Sequence, residues 1–362
     1  MSGDPGRPFL VTGGAGFIGS NIADRLAGEG HGVVIYDSLA RPGTERNLAW
    51  LQDRHPGAIH PVKADIRNAG ELRRAVNESQ AVFHMAAQVA VTTSLDDPRD
   101  DLEINILGTF NLLEALRTKG DVPLVFASTN KVYGDLADLD FGATDEGYMP
   151  LDGDVRRFGI GEHHPLNFHT PYGCSKGAAD QYVLDYARSF GVPAAVLRMS
   201  CIYGQRQMGT EDQGWVAHFL IRALEGKPIT LYGDGHQVRD ILDVSDAVGA
   251  YLEAWRRIDR IKGRAFNLGG GPANAVSLRM LLDHIGRLIG HSVDVSFADW
   301  RAGDQRYFVA DTRAAEAALG LGPKMAWREG VAKLAAWLAG ERGLRIDAPA
   351  TDPPQRRQAA TW

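Results

Sequence analysis

The run Phe9-Leu-Val-Thr-Gly-Gly-Ala-Gly-Phe-Ile-Gly-Ser20 constrains this chain more than any other. An apolar stretch of strand length leads directly into Gly13, Gly14, Gly16 and Gly19, and these open a segment with helical period, so both G-x-x-G-x-x-G and G-x-G-x-x-G are satisfied. Glycines there let a strand turn sharply into a helix and bring backbone N–H groups close to a pyrophosphate. Its charge then rests on the positive end of the helix macrodipole. The same glycines would also allow close strand–helix packing with no ligand. Asp37 adds the second half of the signal, because it follows Gly19 by 18 residues at the end of the next apolar run. A carboxylate at that point accepts hydrogen bonds from an adenosine ribose and repels a 2′-phosphate, which points to NAD rather than NADP.

The rest of the chain suits that opening. Short apolar runs at Phe9–Val11, Val33–Tyr36, Ile59–Val62, Ala81–His84, Leu124–Ser128 and Ala194–Arg198 alternate with helix-length amphipathic segments. Ile18, Ile22 and Leu26, or Leu107, Phe110 and Leu113, mark helix faces. The expected architecture is α/β: a Rossmann-type doubly wound parallel sheet with a smaller C-terminal substrate-binding domain. Residues 1–205 are assigned to the NAD-binding part, with a return near 236–270. Residues 206–340 form mainly the substrate domain, with helical periods near 215–225, 246–257 and 277–289, and 341–362 a loose, Pro- and Arg-containing tail.

Composition removes other classes. Of the 362 residues, 39 are basic and 45 acidic, and the net charge of −6 gives no electrostatic reason to expect a nucleic-acid partner. No run approaches the roughly 18 apolar residues of a membrane span, and Met1–Pro8 lacks the apolar core of a secretory signal. Cys174 and Cys201 are too few for a disulfide scaffold and lack zinc-site spacing. The expected location is therefore the cytoplasm. His163, His164 and His169 lie in a Pro- and Gly-containing loop without ordered ligand spacing, so no metal is expected.

Chemistry is expected at Tyr172-Gly-Cys-Ser-Lys176, where a phenol and an ammonium share one helix face a turn apart. Pro171 suits the first turn, with Thr170 as cap. A phenol of pKa about 10 is a poor base, and a nearby Lys⁺ favours its ionised form. Ser128-Thr129-Asn130-Lys131-Val-Tyr-Gly134 follows the fifth apolar run, at the edge of the sheet where doubly wound folds bind ligands, so the Thr129 hydroxyl can hold a substrate oxygen beside Tyr172. Asp65-Ile66, after the third run, can receive an adenine amino group or cap the helix that starts near Asn68.

The glycine string, His84-Met-Ala-Ala87, Ser128–Gly134 and Tyr172–Lys176 together resemble the extended short-chain dehydrogenase/reductase group, the NAD-dependent epimerases and dehydratases of nucleotide sugars. The resemblance covers approximately Phe9 to Leu338. Within that group, the strings 128–136, 171–182, 212–216 and 238–240 are most similar to the branch acting on carbon 2 of a CDP-linked hexose. The resemblance implies Thr129, Tyr172 and Lys176 as catalytic residues, with Lys176 also holding the nicotinamide ribose. It implies Gly13, Gly16, Phe17, Ile18, Gly19, Asp37, Asp65, Ile66 and Ala86 as NAD contacts, and Gln88, Asn130, Ser200, Arg206, Arg239 and Arg306 as substrate contacts. Two arginines suit a diphosphate, yet each could equally form an ion pair with Asp240 or Asp304. Asn167 departs from the Asp expected there. Asn130 and Lys131 stand where 4,6-dehydratases carry Asp-Glu, which disfavours removal of water. A UDP-hexose 4-epimerase stays open, as does a non-catalytic NAD-binding regulator. The segments 100–118 and 171–190 resemble the helices through which relatives form homo-oligomers, although their apolar faces would also serve a monomer's core.

Overall fold

The computed structural model describes residues 6–346 apart from residue 302. Seven parallel strands form the central sheet: β1 (Phe9–Thr12), β2 (Val33–Asp37), β3 (Ile59–Lys63), β4 (Ala81–His84), β5 (Leu124–Thr129), β6 (Ala194–Met199) and β7 (Ala265–Leu268). Their order is β7-β6-β5-β4-β1-β2-β3, so the winding reverses between β1 and β4. A cleft opens at such a reversal, beyond the carboxyl ends of the strands.

Strands covered on both faces read as continuous apolar runs, and β1, β4 and β5 are buried at every residue. β3 is one of the two edge strands, β7 being the other, and of the seven only β3 accommodates a proline, Pro61. Six of these strands match the sequence expectation to within a residue at each end. The seventh was hidden by Asn267, a polar residue at the centre of a four-residue strand. Its side chain is fully buried, donating to the Ile160 carbonyl at 2.8 Å and accepting from the Tyr133 hydroxyl at 2.8 Å.

Two cores cover the sheet. On one face, Ile22 and Leu26 of α1 (Phe17–Gly28) and Leu51 of α2 (Thr44–Arg54) share a core with Leu242, and with Val244 and Tyr251 of a late helix, α6 (Val244–Arg256). On the other, Leu10, Leu72, Leu112, Leu113, Leu116 and Val183 join α3 (Ala69–Asn77), α4 (Thr109–Lys119) and α5 (Thr170–Phe190) to the strands. A third cluster, among them Val216, Leu220, Leu281, Ile285, Trp327 and Val331, serves the C-terminal segment. The last helix spans Trp327–Arg342, so residues 341 and 342, expected in a loose tail, are helical; 347–362 lie outside the described residues.

Two departures from regular helix bear on the site. Glu103–Gly108, just before α4, forms a π-helical turn, a rare feature that clusters at functional sites. Thr170, the first residue of α5, has φ +62°, an outlier for a β-branched residue. The helix cap proper is His169, without a side-chain bond, while the Thr170 hydroxyl accepts from the Gly173 N–H at 3.4 Å and so performs the expected capping from one residue further on. Leu102, Leu107 and Phe110, with Tyr182 and Phe190 of α5, leave large apolar side chains exposed. Among the described residues, no helix is long and apolar enough to cross a membrane.

Candidate active site

The glycine turn sits where the geometry admits no side chain. Gly13 has φ +65°, and a Cβ there would lie 2.6 Å from the Ala86 nitrogen; one on Gly19 would lie 2.2 Å from the Gly13 carbonyl oxygen. The turn after β1 and the chain leaving β4 are thus pressed together at the sheet reversal. Gly16 caps α1 without any side-chain hydrogen bond, so no side chain competes for the first-turn N–H groups at Phe17, Ile18 and Gly19. Asp37, at the end of β2, accepts from Ala15 N at 3.0 Å and Leu39 N at 2.9 Å. Burial pushes its carboxyl up, and these backbone bonds oppose the shift. An open helix terminus, a cradle that a Cβ would fill and a carboxylate against the loop together fit a dinucleotide.

Asp65 is placed differently from the simple expectation. Its carboxylate pairs with Arg67 at 2.7 Å, which holds its pKa down, and Arg67 also reaches Asp100 at 2.8 Å. Asn68, not Asp65, caps α3 by accepting from Glu71 N at 3.3 Å. Ile66 is buried beneath the π turn, where a Cβ on Gly108 would come within 2.5 Å of it.

At the carboxyl ends of β4 and β5, Thr129, Tyr172 and Lys176 come together. All three are buried. Burial raises Tyr172 to about 12; the neighbouring Thr129 hydroxyl lowers it and the Asp101 charge raises it. Lys176 donates to the Ala127 carbonyl at 2.7 Å and lies 4.4 Å from the centre of the Phe126 ring. Burial lowers it to about 8, while Asp180 and Asp101 oppose that shift. The sequence reading has the ammonium lowering the phenol, but here it is turned to the β5 carbonyl and desolvation governs Tyr172.

Of the residues behind this trio, Gln88 and His84 are named from the sequence, whereas Asn105, Asp101 and Ser94 are not. Asn105, inside the π turn, donates to the Gln88 carbonyl at 3.0 Å, Asp101 at 3.1 Å and the Ser175 hydroxyl at 3.0 Å. Ser94 Oγ accepts from Tyr172 N at 3.1 Å. His84 is clasped between Thr12 at 2.6 Å and Thr109 at 3.1 Å, and burial, aided by Lys176, lowers it to about 3, so it is neutral. Gln88 donates to Asp101 at 3.1 Å and to the Ala90 carbonyl at 2.9 Å, which makes it part of this wall.

On the substrate side, Asn130 is buried and donates to Gln305 at 3.1 Å, while Ser200 bonds Asp240. Arg239 pairs with Asp304 at 2.7 Å and donates to the Gln305 carbonyl at 2.6 Å; Arg306 is exposed, 5.6 Å from the Tyr148 ring centre. Arg206 does not join them. Its guanidinium lies 4.0 Å from the Trp50 ring centre and 5.3 Å from that of Trp337, an aromatic sandwich that occupies the planar cation elsewhere. His164 and His169 lie by separate carboxylates, Asp138 and Asp135.

Residues 9–269 match the model of the NAD dependent epimerase/dehydratase family. The chain belongs to that family. It is an NAD-dependent enzyme of the extended short-chain dehydrogenase/reductase type. Family relatives span nearly all of it. CDP-paratose 2-epimerase of Salmonella typhi is 42% identical over 343 residues, covering 91% of this chain and 98% of that one. A putative UDP-glucose 4-epimerase of Methanocaldococcus jannaschii is 34% identical over 335 residues, covering 91% and 98%. Among solved structures, Thermus thermophilus UDP-glucose 4-epimerase in complex with NAD superposes with a TM-score of 0.75 at 32% identity, covering 92% of this chain and 99% of that one.

Proposed function

We propose that this enzyme inverts carbon 2 of a CDP-linked hexose, with CDP-paratose to CDP-tyvelose as the reaction to test first. The observation that carries this reading is the 42% identity to the Salmonella 2-epimerase across nearly the full length of both chains. NAD supplies a reversible hydride acceptor when bound. Tyr172 takes the proton of the reacting sugar hydroxyl and returns it after the ketone has presented its other face. Thr129 holds that oxygen through its hydroxyl, and Lys176 holds the nicotinamide ribose. Gly13, Gly16 and Gly19, the first turn of α1, Asp37, Asp65, Ile66 and Ala86 form the cofactor side. Gln88, Asn130, Ser200, Arg239 and Arg306 form the substrate side.

Elimination of water would need another acid and base near the sugar. The two positions after Thr129 carry an amide engaged by Gln305 and an ammonium, and neither is a carboxyl. The 34% identity to the Methanocaldococcus protein supports inversion at carbon 4 of a UDP-hexose as the second reading. One proton NMR experiment separates them. Turnover of CDP-paratose in heavy water is expected to give the carbon-2 diastereomer with no solvent deuterium at that carbon, and Tyr172→Phe to abolish it. Deuterium at carbon 2, or inversion only at carbon 4 of a UDP-hexose, overturns the proposal. A cytoplasmic location is in keeping with the two unpaired cysteines. The exposed apolar faces of α4 and α5 support a homo-oligomer.

A further inference from the structure

Lys131 holds a charge that the protein matches only at long range. It sits two residues after Thr129 in the 3-10 turn Asn130–Tyr133, with its side chain only 21% exposed. Its ammonium donates to the Gly303 carbonyl at 3.1 Å, and the nearest carboxylate, Asp304, is 3.8 Å away. The carboxylate oxygen nearest Lys131, Oδ1, is already engaged, because Arg239 meets it at 2.7 Å and the Gln305 N–H at 3.0 Å. Two cations therefore converge on one anion in a recess whose Arg239 side chain is 8% exposed and whose Asp304 side chain is 26% exposed.

Removing a cation from water without a counter-charge is costly, and the cost falls when an anion enters. Burial and the Arg239 charge both bear on Lys131 in the expected sense, lowering its pKa against the pull of Asp304. Arg239 itself directs three N–H groups to Asp304 and to the carbonyls of Gln305 and Val238. Asp240, its neighbour in the strand Val238–Asp243, is turned to Ser200 and to Gly271 N. Lys131 is thus the less committed of the two cations and stands between the catalytic Thr129 and the Arg239 strand.

We propose that Lys131 is a substrate-binding residue, a further cation that meets the diphosphate of the nucleotide sugar beside Arg239, with which it shares Asp304. This rests on the nucleotide-sugar reading above, but not on the choice of carbon 2. A phosphoryl oxygen would replace the long Asp304 contact with a short charge-assisted hydrogen bond.

The test is calorimetric titration of the NAD-loaded protein with CDP, UDP, dTDP and cytidine. Lys131→Met is expected to weaken binding of the preferred nucleoside diphosphate at least tenfold and to leave cytidine unchanged. Lys131→Arg should recover most of the loss, and the salt dependence of binding should flatten in the Met variant. If the Met variant does not fold, Lys131→Gln removes the same charge with a similar chain and carries the same expectation. A Met or Gln variant that holds NAD and binds the diphosphate within twofold of wild type overturns the proposal, and so does a wild type that binds none of the three diphosphates. Preference for UDP or dTDP over CDP refutes the CDP assignment alone, and the Lys131 comparison then proceeds on the preferred diphosphate.

Discussion

The helix that carries Tyr172 and Lys176 is pinned to the sheet by one buried ion pair, and cutting it is the sharpest test of the described packing. Arg198 on β6 meets Asp180 on α5 through Nε and Nη2, each at 2.9 Å, and its Nη1 donates to the Tyr133 hydroxyl at 3.1 Å. Ser128 on β5 adds a bond to the same carboxylate at 2.7 Å, and the two charged side chains are 5% and 0% exposed. Arg198→Met preserves most of the apolar stem but leaves the carboxylate sealed away with Ser128 and Gln181 as its remaining side-chain donors. Losing one partner of a buried pair costs about 3–5 kcal/mol. Two charge-assisted bonds at about 1.5–3 kcal/mol each give a similar figure. We expect a loss of about 4 kcal/mol, or roughly 8–12 °C in Tm at about 2–3 °C per kcal/mol for a chain of this size. Urea unfolding at a fixed, saturating NAD concentration measures it, since bound ligand moves the midpoint. The double variant Arg198→Met/Asp180→Leu removes the orphaned charge and should recover about half of the loss. A single variant destabilised by less than about 1 kcal/mol, or a double variant less stable than the single, refutes the reasoning.

Other expectations follow from the same geometry. Gly13→Ala forces a Cβ to within 2.6 Å of the Ala86 nitrogen at φ +65°, so NAD released by heating should fall below about a tenth of wild type while the helical circular dichroism persists. Lys176 titrates near 8 in the folded chain against 10.5 unfolded, so stability rises with pH across that window and the penalty is complete below it. Lys176→Met should therefore stabilise the cofactor-free fold at pH 7 by up to about 3 kcal/mol and lose NAD affinity; a lower Tm at pH 7 contradicts the sign. Asp37→Ala should narrow the preference for NAD over NADP in a fluorescence titration, and an unchanged ratio removes Asp37 from the ribose. Phe110→Glu with Leu107→Glu should give a monomer in sedimentation if the exposed face is the subunit contact, and an unchanged sedimentation coefficient removes that face from the assembly.

What could be read in advance was whatever rests on local spacing. The glycine turn, Asp37, the Tyr172–Lys176 pair and six strands follow from neighbours within a few positions along the chain. Asn267 concealed β7 because its burial depends on Ile160 and Tyr133, more than a hundred residues away. Asn105 was invisible because a π turn sets its facing, and no heptad or 3.6-residue pattern marks it; Asp101, in the short helix Pro98–Leu102 just before that turn, is revealed only by its bonds to Asn105 and Gln88. The family resemblance places Arg206 among the substrate contacts. Only the fold shows Trp50 and Trp337, from opposite ends of the chain, closing on it. The phenol's raised pKa is likewise a property of enclosure, which adjacency to a lysine does not reveal.

The position of β7 also governs how the protein can be made. When a ribosome has delivered β6, the nucleotide-binding sheet still ends in an open row of backbone donors and acceptors, and the strand that closes it emerges roughly 70 residues later. At about 5–20 residues per second this leaves several seconds of exposed edge, during which α1 also lacks α6 as its cover. A gene fragment ending near residue 205 would carry the whole cofactor signature and still yield a sticky, six-stranded product. The halves that the chemistry separates are, for synthesis and for engineering by fusion or truncation, one indivisible piece.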